Sequence, residues 1–225
     1  MIVTIKSAHE DYEKYINGKR VIFVGPSSIM IGRGLGEWID SFDVVVRTNH
    51  FPIIMNDDIA ADYGKKCHAL YMNMQYYHKT RPLNGDLYKR MGIKWLCMKR
   101  CRDIDFRRLK NFCHMRVIQK SVKYVNRFIK TPLMGSIIIY DLSECFPAEI
   151  CIAGVDFYQS SGKDYKSYVP GYIPDDIQKI NETLKIGQGI GHDIKSNAQY
   201  MKDMYDRGMI TMPDFIYNNL CEAVV

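Results

Sequence analysis

Apolar residues along the chain fall into two recurring patterns. Short continuous runs, bounded by glycine, proline or charge, occur at Val21-Ile22-Phe23-Val24, Asp43-Val44-Val45-Val46, Ala69-Leu70-Tyr71-Met72, Ile93-Lys94-Trp95-Leu96-Cys97, Met115-Arg116-Val117-Ile118 and Glu149-Ile150-Cys151-Ile152-Ala153. Runs that do not alternate with polar residues suit strands covered on both faces, as parallel strands are. Between them, helical patterns fill 9–17, the region around Glu37-Trp38-Ile39, and 83–91, 105–112, 121–129, 133–145, 175–185, 193–207 and 214–222. Strands alternating with helices predict an α/β fold with a doubly wound, mostly parallel, Rossmann-like sheet. No internal repeat, low-complexity stretch or linker interrupts the pattern, so residues 1–225 read as a single domain. Within it, 1–18 form an N-terminal extension, 19–212 the core and 213–225 a C-terminal helix. The longest irregular stretch, 156–174, holds Gly162, Pro170, Gly171, Pro174 and four tyrosines; such loops often cover sites.

Composition narrows the class. With 225 residues, 47% hydrophobic and 25% charged, the chain is an ordinary globular protein rather than a disordered, collagen-like or coiled-coil one. No apolar run approaches the ~20 residues of a membrane helix. The N-terminus has no basic stretch leading into a long apolar run and a cleavage site. Seven cysteines, an odd number, several of them inside apolar runs, point to buried free thiols in a reducing compartment. The expected location is therefore cytoplasmic. Cys97 and Cys101, with Cys113-His114 downstream, match no common zinc spacing.

Positive charge is concentrated. The net charge is +6, and residues 94–130 carry twelve of the 31 basic residues against two acids, Asp103 and Asp105. Interleaved with Phe106, Phe112, Tyr124 and Phe128, this stretch would suit nucleic acid, an anionic lipid surface or an acidic glycan. The plainer reading is a solvated helix face with its aromatics turned inward.

In an open α/β sheet, ligands lie beyond the carboxyl ends of the strands. That selects Gly25-Pro26-Ser27-Ser28, Arg47-Thr48-Asn49, Met72-Asn73 and Gly154-Val155-Asp156. A small-residue turn after the first strand would let backbone N–H groups and serine hydroxyls approach a phosphate. No GxxxxGK[ST] loop exists. Gly32-Arg33-Gly34-Leu35-Gly36 comes too late after the strand, with the wrong spacing, for a dinucleotide fingerprint.

A third phosphate-binding pattern fits more of the chain. Val24-Gly25-Pro26-Ser27-Ser28, followed by Gly36-Glu37-Trp38-Ile39-Asp40-Ser41-Phe42-Asp43-Val44-Val45-Val46-Arg47-Thr48-Asn49, resembles the large sialylmotif of the sialyltransferases, glycosyltransferase family 29. Thr131-Pro132-Leu133-Met134-Gly135-Ser136, with Cys145 and the strand ending Ala153-Gly154-Val155, resembles the small sialylmotif. His192-Asp193-Ile194-Lys195-Ser196-Asn197 resembles the very small motif, HxxxxE. The three occur in the family's order over residues 21 to 210. The chain departs from the pattern at Pro26 for asparagine, Leu133-Met134 for Ser-Thr and Asn197 for glutamate. The third short motif falls near Asp164-Tyr165-Lys166, without its histidine. Near Arg20 there is no cysteine to pair with Cys145.

The resemblance implies a GT-A-type variant of the doubly wound fold. It also implies an inverting, metal-independent transfer of sialic acid from CMP-sialic acid to a sugar hydroxyl, with no cofactor. His192 would be the base, since imidazole is the side chain tuned for that task at neutral pH, and the glycines of 187–191 would position it. Donor contacts would come from Gly25, Ser27, Ser28, Asn49, Asn73, Gly135, Ser136 and Gly154, with Tyr165 or Tyr168 donating to the phosphate. Partners would be a CMP-sugar and a glycan acceptor, with peripheral membrane contact through 94–130 and no nucleic acid. Acceptor contacts would fall on 156–174 and 74–86, the latter with Tyr76, Tyr77, His78 and Arg81. Asp57-Asp58 and Asp175-Asp176 read as helix-capping acids rather than a metal-binding pair. Three alternatives remain open: a CMP-Kdo-dependent transferase, a basic nucleic-acid-binding α/β module, and an NADP-dependent oxidoreductase with Arg47 on the 2′-phosphate.

Overall fold

In the computed structural model, residues 5–49, 51, 57–73, 84–101, 107, 109–157, 169 and 193–224 are described. Six strands, β1 (Arg20–Val24), β2 (Val44–Thr48), β3 (Ala69–Met72), β4 (Trp95–Met98), β5 (His114–Val117) and β6 (Glu149–Ala153), form one open sheet in the order β5-β4-β3-β2-β1-β6. Every pairing is parallel. Each apolar run read from the sequence is one of these strands. The helices are α1 (Ile5–Ile16), α2 (Gly36–Asp40), α3 (Asp57–Tyr63), α4 (Gly85–Arg90), α5 (Gln119–Val125), α6 (Met134–Ser143), α7 (Ile194–Asp206) and α8 (Asp214–Val224). Of the expected helices, 175–185 lies outside the described residues, as do residues 105, 106 and 108 of the expected helix 105–112.

Both faces of the sheet are covered, which is why its strands are apolar at successive positions. Side chains alternate between the two faces. Tyr71, Trp95 and Cys97 enter the larger core, while Leu70, Met72, Leu96 and Met98 pack with Tyr88 of α4 and Ile93 in a smaller one. The outer edge of β6 is closed by Thr211, whose N–H donates to Ile150 O and whose carbonyl accepts from Ile152 N, both at 2.8 Å.

Residues 5–16, set apart in the sequence as part of an extension, are integral: α1 buries Tyr12 and Ile16 completely. Likewise α8 buries Ile216 and Leu220. All seven thiols are free, with Cys67, Cys97, Cys145 and Cys151 buried. Burial pushes the Cys67 and Cys97 thiols up to about 12, so they behave as small apolar side chains. None of the described helices is long and apolar enough to cross a membrane.

The strand order decides where a ligand can lie. The chain steps outward from β1 to β5, then returns across the sheet to place β6 beside β1. A crevice opens at the carboxyl ends of strands where the direction of winding reverses, and here that is between β1 and β6.

Candidate functional site

A cleft of about 100 Å³ occupies this reversal point. Its walls are Phe23, Gly25, Pro26 and Ser27 from the end of β1, Thr48 and Asn49 from β2, and Gly154, Val155, Asp156 and Phe157 after β6; Leu133, Met134 and Gly135 from the start of α6 and Met201 from α7 complete them. Gly25 and Gly154 form the back wall and meet backbone to backbone. A Cβ on either would overlap the carbonyl oxygen of the other, and Gly154 has φ +63°. Side chains are excluded at both positions by space, and at Gly154 also by conformation.

The turn after β1 is closed on itself. Gly25 N donates to Ala153 O (2.8 Å) and Ser27 N to Gly154 O (2.9 Å); Ser27 Oγ accepts from Ile29 N at 3.3 Å. Ser27 thus caps the short 3₁₀ turn Ser28–Met30, and Tyr63 Oη donates to its carbonyl. Ser28 begins that turn and does not line the cleft. Further on, the N–H groups of Gly32 and Gly34 both donate to the Asp62 carboxylate, at 2.7 Å each. The glycine-rich segment therefore already holds an anion of its own. In the turn after β1 the N–H groups of Gly25 and Ser27 are therefore satisfied internally and Pro26 has none, so these three residues do not offer the expected phosphate a backbone donor.

Most of the large-motif residues prove to be scaffold. Gly36 lies against the carbonyls of Ala60 and Ala61, leaving no room for a Cβ. Asp40 accepts from Lys65 N (2.8 Å) and Lys66 N (2.9 Å), and Asp43 accepts from Arg20 N at 2.9 Å. Arg47 is fully buried. It donates to the carbonyls of Lys66 (2.8 Å), Tyr63 (2.6 Å) and Gly64 (3.2 Å), and burial lowers its pKa to about 10. A guanidinium bonded this way is not at the cleft to meet a 2′-phosphate, so the NADP alternative loses its residue. Asp57 and Asp58 open α3, where acids favour the helix dipole. Asn49 adopts φ 52° and bridges β2 to β3: its N–H donates to Tyr71 O (2.8 Å) and its Oδ1 accepts from Asn73 N (2.8 Å). Asn73 takes part here through its backbone.

The small and very small motifs meet where α6 and α7 begin. Asn197 is fully buried. Its Oδ1 accepts from Leu133 N (2.8 Å) and Ser136 Oγ (2.6 Å), while its Nδ2 donates to Asp193 O (2.6 Å). Asp193 N donates to Thr131 Oγ1 at 3.0 Å, and Asp193 caps α7 by accepting from Ser196 N at 3.0 Å. The Ser136 hydroxyl thus faces Asn197 rather than the cleft. At its start α6 has no side-chain cap, and Leu133, Met134 and Gly135 of that start line the cleft.

Of the residues expected at the site, the structure gathers Gly25, Ser27, Asn49, Gly135 and Gly154 around one cleft. His192, Tyr165 and Tyr168 lie outside the described residues, as do Tyr76, Tyr77, His78, Arg81 and the Asp175-Asp176 pair. From the irregular 156–174 stretch, Val169 is described: it is buried, and its N–H donates to Pro26 O at 2.8 Å. Sequence reasoning missed Met201, whose helical spacing marks it only as core, and Tyr63, which carries no local signal of contact with Ser27. In the basic stretch, Tyr124 and Phe128 are 41% and 48% exposed. The inward-facing reading fails for them: Tyr124 stacks on half-buried Tyr140 at 4.2 Å and Phe128 lies tilted against half-buried Tyr200 at 5.4 Å between centroids, each leaving its outer face to solvent.

No protein-family model matches the chain, and no curated protein matches it in sequence. Solved structures do. A mammalian sialyltransferase superposes with TM-score 0.57 at 16% identity, over 94% of this chain and 79% of that one. A second structure of a mammalian sialyltransferase, in complex with Gal-beta-1-3GalNAc-ortho-nitrophenol, gives TM-score 0.57 at 15% identity over the same shares. The sialyltransferase CstII from Campylobacter jejuni, in complex with the substrate analogue cytidine-5′-monophosphate, gives TM-score 0.51 at 16% identity over 87% and 79%. At these identities the likeness is one of fold.

Proposed function

We propose that this chain is an inverting glycosyltransferase that moves sialic acid from CMP-sialic acid to a sugar hydroxyl of a glycan, without metal. The observation that carries the reading is the uncapped start of α6 lining the cleft at the winding reversal. First-turn N–H groups and the helix dipole favour an anion there, and CMP-sialic acid offers two, a phosphate and a carboxylate. The glycine back wall lets the donor approach the backbone closely. Asn49, which lines the cleft, contacts ribose or base in this reading. The fold neighbours support the donor class, since one was solved with cytidine monophosphate, and the acceptor class, since another was solved with a disaccharide derivative. Seven free thiols fit a reducing compartment.

In this reading His192, one residue before the Asp193 cap of α7, removes the proton from the acceptor hydroxyl. That oxygen attacks the anomeric carbon from the face opposite CMP. The bond from the anomeric carbon to the phosphate oxygen breaks, and CMP leaves with the electron pair. Tyr165 or Tyr168 donates a hydrogen bond to the departing phosphate. The leaving group is a phosphate already esterified to a nucleoside, so donors and a helix dipole suffice to stabilise it.

Thermal-shift measurements with CMP, CDP, UDP and NADPH test the site. CMP at a hundredfold its Kd should stabilise the fold by about 2.7 kcal/mol, and no shift with CMP would overturn the reading. His192→Ala should lose transfer by about a hundredfold or more while keeping the CMP shift. Parallel assays with CMP-sialic acid and CMP-Kdo identify the sugar.

A further inference from the structure

A second concavity, of about 990 Å³, opens at the amino ends of β4 and β5, the opposite end of the sheet from the cleft. Five lysines converge on it from five separate segments: Lys14 on α1, Lys19 before β1, Lys89 on α4, Lys94 before β4 and Lys110 before β5. Asp11 is the one acid among the lining residues. Among the described residues, none of the five ammonium groups has an ion-pair partner. Two are held over a single ring: Lys19 Nζ lies 3.9 Å and Lys94 Nζ 5.6 Å from the Tyr15 centroid. In its floor, buried Trp95 stacks on exposed His114 at 4.8 Å between centroids.

Like charges gathered around a concavity repel one another and focus a positive potential into it. Nothing in the fold requires them to face the same space, since the apolar floor is already packed. The positively charged groups are lysines, with no arginine among the lining residues. Arginine's planar fork pairs bidentately with a carboxylate or a phosphate, whereas lysine's compact ammonium acts as a point charge without fixed direction. Five of them around one space therefore suit an anion whose charged oxygens are spread over several groups, as in a polyphosphorylated ligand. The volume lies at the upper end of the range for small-ligand sites, more than a single phosphate needs. We propose that this groove binds a ligand carrying several phosphate groups, either a soluble molecule or the headgroup of a phosphorylated lipid. Lys94 and Lys110 give part of the basic 94–130 stretch a task distinct from donor binding, and the inference does not depend on glycosyl transfer.

Isothermal titration with inositol hexakisphosphate and flotation with phosphatidylcholine vesicles, with and without phosphatidylinositol 4,5-bisphosphate, test it. The wild-type chain should bind at least one phosphate probe, and the responding probe names the source. Affinity should fall at least tenfold in Lys19→Glu/Lys94→Glu and severalfold in Lys89→Ala/Lys110→Ala, with circular dichroism melts unchanged in the second, milder variant. Binding should also weaken steeply as salt rises. Failure of both probes with the wild-type chain would overturn the proposal, as would full affinity in both variants. Binding of a single-stranded oligonucleotide where both phosphate probes fail would overturn it in favour of a nucleic-acid surface.

Discussion

Gly154 and Gly18 both have positive φ, +63° and +69°, but only Gly154 is hemmed in: a Cβ there would overlap Gly25 O, whereas at Gly18 nothing lies within 4 Å. Gly18→Ala should cost about 1 kcal/mol, the price of the backbone conformation. Gly154→Ala should cost about 2–4 kcal/mol, because overpacking adds to that strain, and should abolish the CMP shift. Urea denaturation of the two variants separates space from conformation. His68 is a second residue whose environment sets its chemistry. Its Nδ1 accepts the Val45 N–H at 2.9 Å, which a protonated ring cannot do. Burial, reinforced by Lys94 and Lys66, holds its pKa below the ordinary value. The unfolded chain, with a pKa of about 6.5, takes up the proton first. The stability His68 contributes is therefore whole above about pH 6.5 and is lost as pH falls through the lowered folded value. Denaturation midpoints should drop between about pH 7 and 5 in the wild-type chain and stay nearly level in His68→Asn. Gly25 was legible as a site residue because it ends an apolar run. His68 was not, since its role depends on β2 and β3 lying side by side.

At the scale of elements, the motifs divide into those that touch the cleft and those that hold its walls. Asp40, Asp43 and Arg47 bind backbone groups of neighbouring segments, so a recognisable motif here records how α2, β2 and α3 are joined. Asn197 joins the starts of α6 and α7 with a carbonyl that accepts from Leu133 and Ser136 and an amide that donates to Asp193. An amide can do both, whereas a carboxylate can only accept. Asn197→Ala should destabilise by about 1–3 kcal/mol through the donors left unsatisfied. Asn197→Glu should not recover the loss, although glutamate stands there in the motif, because it sets a carboxylate against Asp193 O in a fully buried site. Thermal melts of the two variants check this. If α6 holds the donor, both should raise the KM for it.

Across the whole molecule, one buried ion pair ties the layers together. Arg116 of β5 donates twice to Asp141 of α6, at 2.7 and 2.9 Å. Asp141 also accepts from Tyr71 of β3 and Ser121 of α5, each at 2.5 Å. Tyr12 of α1 meets Tyr71 at 3.1 Å. Burial opposes the Arg116 charge, but Asp141 outweighs it and holds the guanidinium protonated. Asp141→Ala should cost about 3–5 kcal/mol by stranding that charge, whereas Arg116→Met/Asp141→Leu should recover most of it. Calorimetric melts of the single and double variants measure the difference. None of this network was legible in the sequence, where Arg116 looked like one more member of a basic run.

The order of strands and helices, the ends of the strands and the glycine positions were determined by the sequence alone. Burial on both faces demands unbroken apolar runs, and only glycine fits where two backbones meet. Which charged and polar groups serve the cleft was decided by tertiary structure. A hydrogen-bond donor or a cation has no function until the chain supplies its partner, and here those partners come from segments far apart in sequence. Folding set Arg47 against carbonyls, Asp62 against the glycine turn and Arg116 against Asp141, and it left the α6 N-terminus and five lysines facing open space at opposite ends of one sheet.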